Sequence, residues 1–334
     1  MIIRFGTFNL FQFVEPPFSW YTRKDTFKPT EWEEKTTWLK NQIQKMDCDI
    51  IGFQEVFSKD ALEKLVKELG FDYFYMAQNA KTAKQNPTVF VSTAVALASK
   101  HPIIETFKVP VHGRSILNHK IEGHFKFSRI PIKALIELPN KKQITVYVSH
   151  LKSNRLNEYE YLFNKTHTLK QKKEKVKEAL EKNYSMALKQ RLCEASSLFQ
   201  DIKKTKTPSI FLCDLNDKEF SLTIDALTNK AYHQKIKKDS HILFDANYLF
   251  NKKIYNPHPE QKEKKRTATS YYQGYGNVID YIFVSKEFNK KEKEFIAKII
   301  SYEIFDEHLQ KNHDGSILQS DHAQVVCEVE FKKS

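Results

Sequence analysis

The chain has 334 residues, with 54 Lys and Arg against 41 Asp and Glu, and a formal charge of +13 that favours a polyanionic partner, either nucleic acid or an acidic membrane surface. Its eight glycines, well below the usual share of roughly 7 per cent, form neither G-x-x-x-x-G-K-[ST] nor G-x-G-x-x-G, which excludes the backbone phosphate cradles of P-loop and Rossmann proteins. A 40% hydrophobic and 13% aromatic content excludes disorder as the default, and no apolar run reaches the roughly 18 residues of a membrane span.

The chain opens on a strand-like run, Ile2–Leu10, which reads as a chain without a signal peptide. A helix is predicted next, because Trp32, Lys35, Leu39, Ile43 and Met46 recur at three- and four-residue steps. After the strand Asp49–Phe57, Ser58 is placed to cap a second helix carrying Leu62, Leu65, Val66 and Leu69. The runs Thr93–Ala98, Pro131–Leu138 and Ile144–Leu151 read as strands. Residues 154–185, with the Lys-rich stretch Lys170–Lys177, are highly charged and weakly periodic, and are expected to form an exposed, partly helical insertion. A third helix carries Leu188, Leu192, Ala195, Phe199 and Ile202, and the strands Ser209–Cys213, Val278–Val284 and Ala323–Val329 follow.

This mixture predicts α/β or α+β architecture, with sheets covered by helices. No repeat or linker divides the chain, so a single domain over 1–334 is expected. Cys48, Cys193, Cys213 and Cys327 are dispersed, which points to neither a zinc site nor a disulfide framework and makes a reducing cytoplasm the simplest compartment.

The informative pattern is how the apolar runs end. Asn9, Glu55, His150, Asp214, Asn216, Asp321 and His322 all lie at or just beyond a strand terminus. Asp214 and Asn216, two short polar chains two residues apart, can aim at one point, and Asp321 and His322 set an acid beside a base. Asp280 lies inside Val278–Val284, where an ionised carboxylate needs a dedicated partner. Taken singly, each has a structural explanation: a turn, a helix-terminal charge or an ordinary strand-end histidine. Together they suit phosphate-ester hydrolysis, with carboxylates and amides for a hard cation such as magnesium and a carboxylate-held histidine to take a proton from water.

The ordered series Thr7-Phe8-Asn9, Gln54-Glu55, Phe127-Ser128-Arg129-Ile130-Pro131, Ser149-His150-Leu151-Lys152-Ser153, Asp214-Leu215-Asn216, Ile279-Asp280-Tyr281 and Ser320-Asp321-His322 resembles the endonuclease/exonuclease/phosphatase superfamily. The resemblance implies a four-layered α/β-sandwich of two facing mixed sheets flanked by helices, with an active site along one edge. It also implies roles: Glu55 as principal metal ligand, assisted by Asn9 and Asp321; His322, oriented by Asp280, as general base. Asp214 would position the water, Asn216 would donate to a phosphate oxygen, His150 would stabilise the transition state or leaving group, and Arg129 would bind phosphate. The implied cofactor is Mg2+, with Mn2+ able to substitute.

Two positions depart from the family pattern. Cys213 stands where glycine is usual and is expected to fill space beside the site, and Leu215 replaces the commoner phenylalanine. Ile279-Asp280-Tyr281 differs from the Cys-Asp-Arg of inositol-polyphosphate phosphatases, while Ser149–Ser153 is similar to DNase-like members. With the positive charge, this favours a nuclease acting on DNA ahead of RNA. The alternatives are a phosphodiesterase or phosphatase acting on phospholipid headgroups or a nucleotide small molecule, and a non-catalytic nucleic-acid-binding or interaction protein. The aromatic run Phe11, Phe13, Phe18, Trp20 and Tyr21 reads first as loop packing and second as a base-stacking surface, while His112, Arg114, His119, Lys120 and His124 are candidates to line a phosphate groove.

Overall fold

The computed structural model describes residues 1–153, 161–251, 266–309 and 317–332. Its first half contains the strands β1 (Ile2–Phe13), β2 (Ser19–Trp20), β3 (Ile50–Val56), β4 (Tyr73–Tyr75), β5 (Thr82–Ala83), β6 (Asn86–Phe90), β7 (Ala94–Ser99), β8 (Ile103–Phe107), β9 (Ile132–Glu137) and β10 (Gln143–His150). The second half adds β11 (Ser209–Asp214), β12 (Leu243–Asp245), β13 (Ser270–Tyr272), β14 (Tyr275–Asn277), β15 (Asp280–Ser285), β16 (Ala297–Phe305) and β17 (Gln324–Phe331). The helices are α1 (Pro29–Met46), α2 (Lys59–Glu68), α3 (Gly113–Asn118), α4 (Leu169–Glu181), α5 (Met186–Ile202), α6 (Leu222–Thr228), α7 (Lys230–His233) and α8 (Ala246–Phe250). None of them is long and apolar enough to cross a membrane.

Two six-stranded mixed sheets face each other, one ordered β16-β17-β1-β3-β7-β4 and the other β12-β15-β11-β10-β9-β8. Strand alternation builds the layers, because neighbouring side chains point to opposite faces. Phe5, Ile50 and Val325 of the first sheet meet Val148, Leu212 and Ile282 of the second in the inter-sheet core. The opposite parity, with Phe8, Ile51 and Phe53, packs on Leu39, Ile43 and Met46 of α1 and Leu62 of α2. Tyr147, Phe211 and Phe283 pack outward on Leu192 and Leu198 of α5, Val176 of α4 and Leu222 of α6. These are the four layers expected.

One glycine lets the sheets close. A Cβ on Gly52 would lie 2.9 Å from Val148 Cγ1 and 3.0 Å from Leu212 Cβ, so a side chain there would push apart strands that end in site residues.

All eight predicted strands and all three predicted helices have counterparts, but some details differ. Ser58 precedes α2 without capping it; its hydroxyl instead accepts the Glu15 N–H at 2.8 Å. Residues 154–160 of the expected insertion lie outside the described residues. Its later part is not simply exposed. Helix α4 buries Lys172, Val176 and Ala179, and Lys172 Nζ donates to Asp225 Oδ2 at 2.8 Å. A lysine at one position of the buried stripe hid its periodicity. Cys213 lies on the helix-facing side of β11, with Sγ 3.5 Å from the Tyr281 carbonyl. The expectation that it fills space beside the site fails because alternation sends it away from Asp214.

Candidate active site

Three adjacent strands of the second sheet set one side of the site. His150 ends β10, Asp214 ends β11 and Asp280 begins β15. In the ladder His150 is opposite Asp214, and Asp214 is opposite Asp280. Each lies two residues from an inter-sheet core position, Val148, Leu212 and Ile282, so the strand period places all three on that same face. They are nearly inaccessible, with 3%, 1% and 1% of their surface exposed.

The first sheet supplies the other side. Asn9 of β1 donates Nδ2 to Asp214 Oδ2 at 3.1 Å, and its Oδ1 accepts the Phe11 N–H at 3.0 Å. His322, just before β17, sets Nδ1 at 3.1 and 2.9 Å from the two Asp280 oxygens. This is the partner that the buried Asp280 required. Ser320 braces both residues, donating its hydroxyl to the Asn9 carbonyl at 2.7 Å and accepting the His322 N–H at 3.0 Å. Thr269 Oγ1 accepts the Ile279 and Asp280 N–H groups at 3.0 and 3.1 Å.

Glu55 is delivered by strained backbone. Its φ is +57°, and opposite it Phe11 and Gln12 have φ of +49° and +57°, at a register shift in the β1–β3 ladder. Side chains other than glycine seldom adopt this conformation, and functional sites are where it persists. The Gln12 N–H released by the distortion donates to Glu55 Oε2 at 3.1 Å. Asn216, with φ +51°, donates its N–H to Asp214 Oδ1 at 2.8 Å and its Nδ2 to the Leu151 carbonyl at 3.2 Å. Arg129 Nη1 donates to the same carbonyl at 3.0 Å.

The charges sort into distinct roles. Burial, then Asp280, lifts the Asp214 carboxyl to about 7, against the pull of His322, the Asn216 N–H and Asn9. Burial, then Arg129 and His322, holds His150 well below the usual imidazole range, so it is neutral. Burial opposes charge on His322 too, but Asp280, Asp321 and Asp214 outweigh it and raise the imidazole well above its ordinary value. Burial, then Asp321, raises Glu55.

Two groups of acids differ in their suitability for a cation. Asp214, Asp280 and His322 offer ligand atoms within 4.8 Å of one another, but these atoms are already engaged with each other, with Asn9 and with Asn216. Glu55 and Asp321 repel each other, and Asp321 Oδ1 is buried with no hydrogen-bond partner. That pair fits a hard divalent cation, with the second lone pair of Asn9 Oδ1 as a further donor.

Sequence reasoning passed over several contributors. Lys35 is fully buried in α1, and its Nζ donates to the Ile317 carbonyl at 2.8 Å; burial pulls its amine down to about 7, although Asp321 and Glu55 work against this. Its signal was a lysine at a core position of an amphipathic stripe. Thr269 left no signal at all. In the aromatic run, Phe13 and Trp20 are buried, with Phe18 packed against Phe90 of the Trp20 cluster, whereas Tyr21 is half exposed and is raised by burial and then by Glu55. His112 and His119 are tied to Ser115 and Tyr232 at α3, not to the catalytic cluster.

The model of the endonuclease/exonuclease/phosphatase family matches residues 6–294. The chain belongs to that family. Solved structures share the fold of this endonuclease/exonuclease/phosphatase protein at low identity. The human Nocturnin catalytic domain with bound sulfate is 16% identical with TM-score 0.59, over 99% of this chain and 94% of that one. D. rerio TDP2 complexed with single-strand DNA product is 11% identical with TM-score 0.57, over 98% and 99%. The mannosyl-6-phosphatase of Bacteroides thetaiotaomicron VPI-5482 is 14% identical with TM-score 0.53, over 98% and 100%. No curated protein matches the sequence. Family membership assigns hydrolysis of phosphate esters as the activity class.

Proposed function

We propose that this family member is a divalent-metal-dependent phosphodiesterase that hydrolyses nucleic acid, DNA ahead of RNA. The observation that carries the reading is the His322–Asp280 contact beside Asp214. With Nδ1 held by Asp280, Nε2 is the remaining nitrogen; the surrounding acids favour the charged imidazole, so Nε2 takes a proton from water only after losing its own, a loss that a cation held by Glu55 and Asp321 would favour. Ionised Asp214 orients that water, held in place by Asn9 and the Asn216 N–H. Neutral His150, the Asn216 amide and the Arg129 guanidinium are donors for phosphate oxygens as charge develops. A divalent cation, magnesium or manganese, held by Glu55 and Asp321 with Asn9 assisting, withdraws charge from a phosphate oxygen when bound.

The formal charge of +13 supports a polyanionic substrate, as does the likeness to a TDP2 that holds a single-strand DNA product. The four cysteines, unpaired and buried, support a cytoplasmic location. The test is cleavage of single- and double-stranded DNA and RNA with and without magnesium. Divalent-dependent cleavage that is lost in His322→Ala is expected; no cleavage of any of these by folded protein overturns the assignment.

A further inference from the structure

The insertion, which the sequence left without a role, walls a cavity. A pocket of about 650 Å³ opens beside Asn216, Asp321 and His322 and reaches Val176 on the buried face of α4. Tyr161 and Phe163, just ahead of α4, supply aromatic lining from one side of the chain, and Tyr271 and Tyr272 of the β13–β14 hairpin supply it from another.

The hairpin is anchored to the catalytic cluster. Ser270 pairs with His322. Gln273 and Gly274, with φ +48° and +80°, make the tight turn that joins its strands. A Cβ on Gly276 would lie 2.8 Å from Ala268 Cβ, so the hairpin is packed close to the chain beneath it. On the insertion side, the buried Lys172–Asp225 pair fixes α4 on α6. Both aromatic walls are therefore mounted on elements tied to the core.

We propose that this pocket receives one unstacked nucleoside attached to the scissile phosphate, so that the enzyme works at a strand end or on a short single-stranded substrate, not inside a duplex. The inference rests on the hydrolase reading above and adds its substrate form. Continuity with the catalytic residues places the occupant next to the phosphate. The volume falls within the roughly 300–1,000 Å³ that encloses one small group, and bases paired within a duplex do not reach such a pocket. Aromatic lining from two separate elements suits a planar base, and Asn277 and Glu219 give its edge polar partners.

The test uses single-stranded hexanucleotides that either carry 2-aminopurine at one end or lack the base there, mixed with the full chain and magnesium. Stacking predicts quenching of the terminal 2-aminopurine and a kcat/KM at least about tenfold higher with the base than without it. Phe163→Ala and Tyr272→Ala lower that ratio toward one; Phe163→Leu, which keeps apolar volume without a ring, does the same and separates stacking from folding. Quenching without cleavage upholds the pocket and sinks the hydrolase reading. Cleavage with no base dependence and no quenching upholds hydrolysis and overturns the pocket, as does cutting of closed circular single strands at the rate of linear ones.

Discussion

Asp280 and His322 meet across the gap between the two sheets, with Nδ1 of His322 2.9 and 3.1 Å from the two Asp280 oxygens. The contact fixes the orientation of the imidazole and supports its charged form. Asp280→Asn keeps the shape but removes the charge, so kcat should fall by about 10²–10⁴ with a small change in KM. Adding His322→Ala should cost little more, because the two act as one unit. Steady-state kinetics on a phosphodiester checks this, and additive losses would show that the residues act separately.

Asp214 predicts a pH limb. Its carboxyl, lifted to about 7, loses its proton as pH rises through that value, so a reaction that needs the ionised form gains kcat/KM with pH and levels off above it. Asn9 donates to the ionised oxygen; Asn9→Ala withdraws that support and should move the limb to higher pH. A pH–rate profile with an unmoved limb argues against Asp214 as the titrating group.

Lys35 predicts a stability slope. Its amine titrates near 7 when folded, against 10.5 ordinarily. Between those values the unfolded chain binds more protons, so stability rises with pH across that window. Lys35→Met should remove this contribution to the slope and stabilise the fold relative to the parent more at pH 7 than at pH 9.5, the two gains differing by an amount on the order of a few kcal/mol. Thermal melts at the two pH values decide the sign.

The repelling pair Glu55 and Asp321 predicts that divalent cations stabilise the fold. At a free concentration 100-fold above Kd the gain is about 2.7 kcal/mol, seen as a rise in Tm with magnesium or manganese. Glu55→Gln should lose most of that rise while melting no lower than the parent without metal, since one of two like charges is gone. An unchanged metal response in Glu55→Gln would place the cation elsewhere.

The Lys172–Asp225 pair, 2.8 Å apart and largely buried, makes α4 a load on the fold. Lys172→Met leaves Asp225 without its counter-ion and should cost about 3–5 kcal/mol. Adding Asp225→Leu should recover much of the loss, because a pair of apolar groups is tolerated where a lone buried charge is not. Denaturant midpoints of the two variants measure this.

Much of the architecture was legible because the long central strands carry uninterrupted or alternating apolar runs, and α1, α2 and α5 carry regular stripes. The short edge strands β2, β4, β5 and β12 have too few residues to show a period, and β16, with two buried positions five residues apart and the rest half-buried or exposed, shows no clean alternation. The site was legible as a set of strand-end residues. That His150, Asp214 and Asp280 are register neighbours was not, since register depends on pairing between segments distant in the chain.

The sequence by itself determined the family, the sandwich class and the residue types available for phosphate chemistry, because these follow from local pattern and from motifs read in order. Only the tertiary structure decided which side chains meet. Asn9 reaches Asp214 over 205 positions of chain because two sheets close over Gly52. Cys213 turns away from the site through strand parity, Lys35 sinks into the core beside two acids, and a lysine-rich insertion becomes the wall of a pocket. Each of these outcomes is set by packing between elements far apart in the sequence, a constraint that no local window of residues contains.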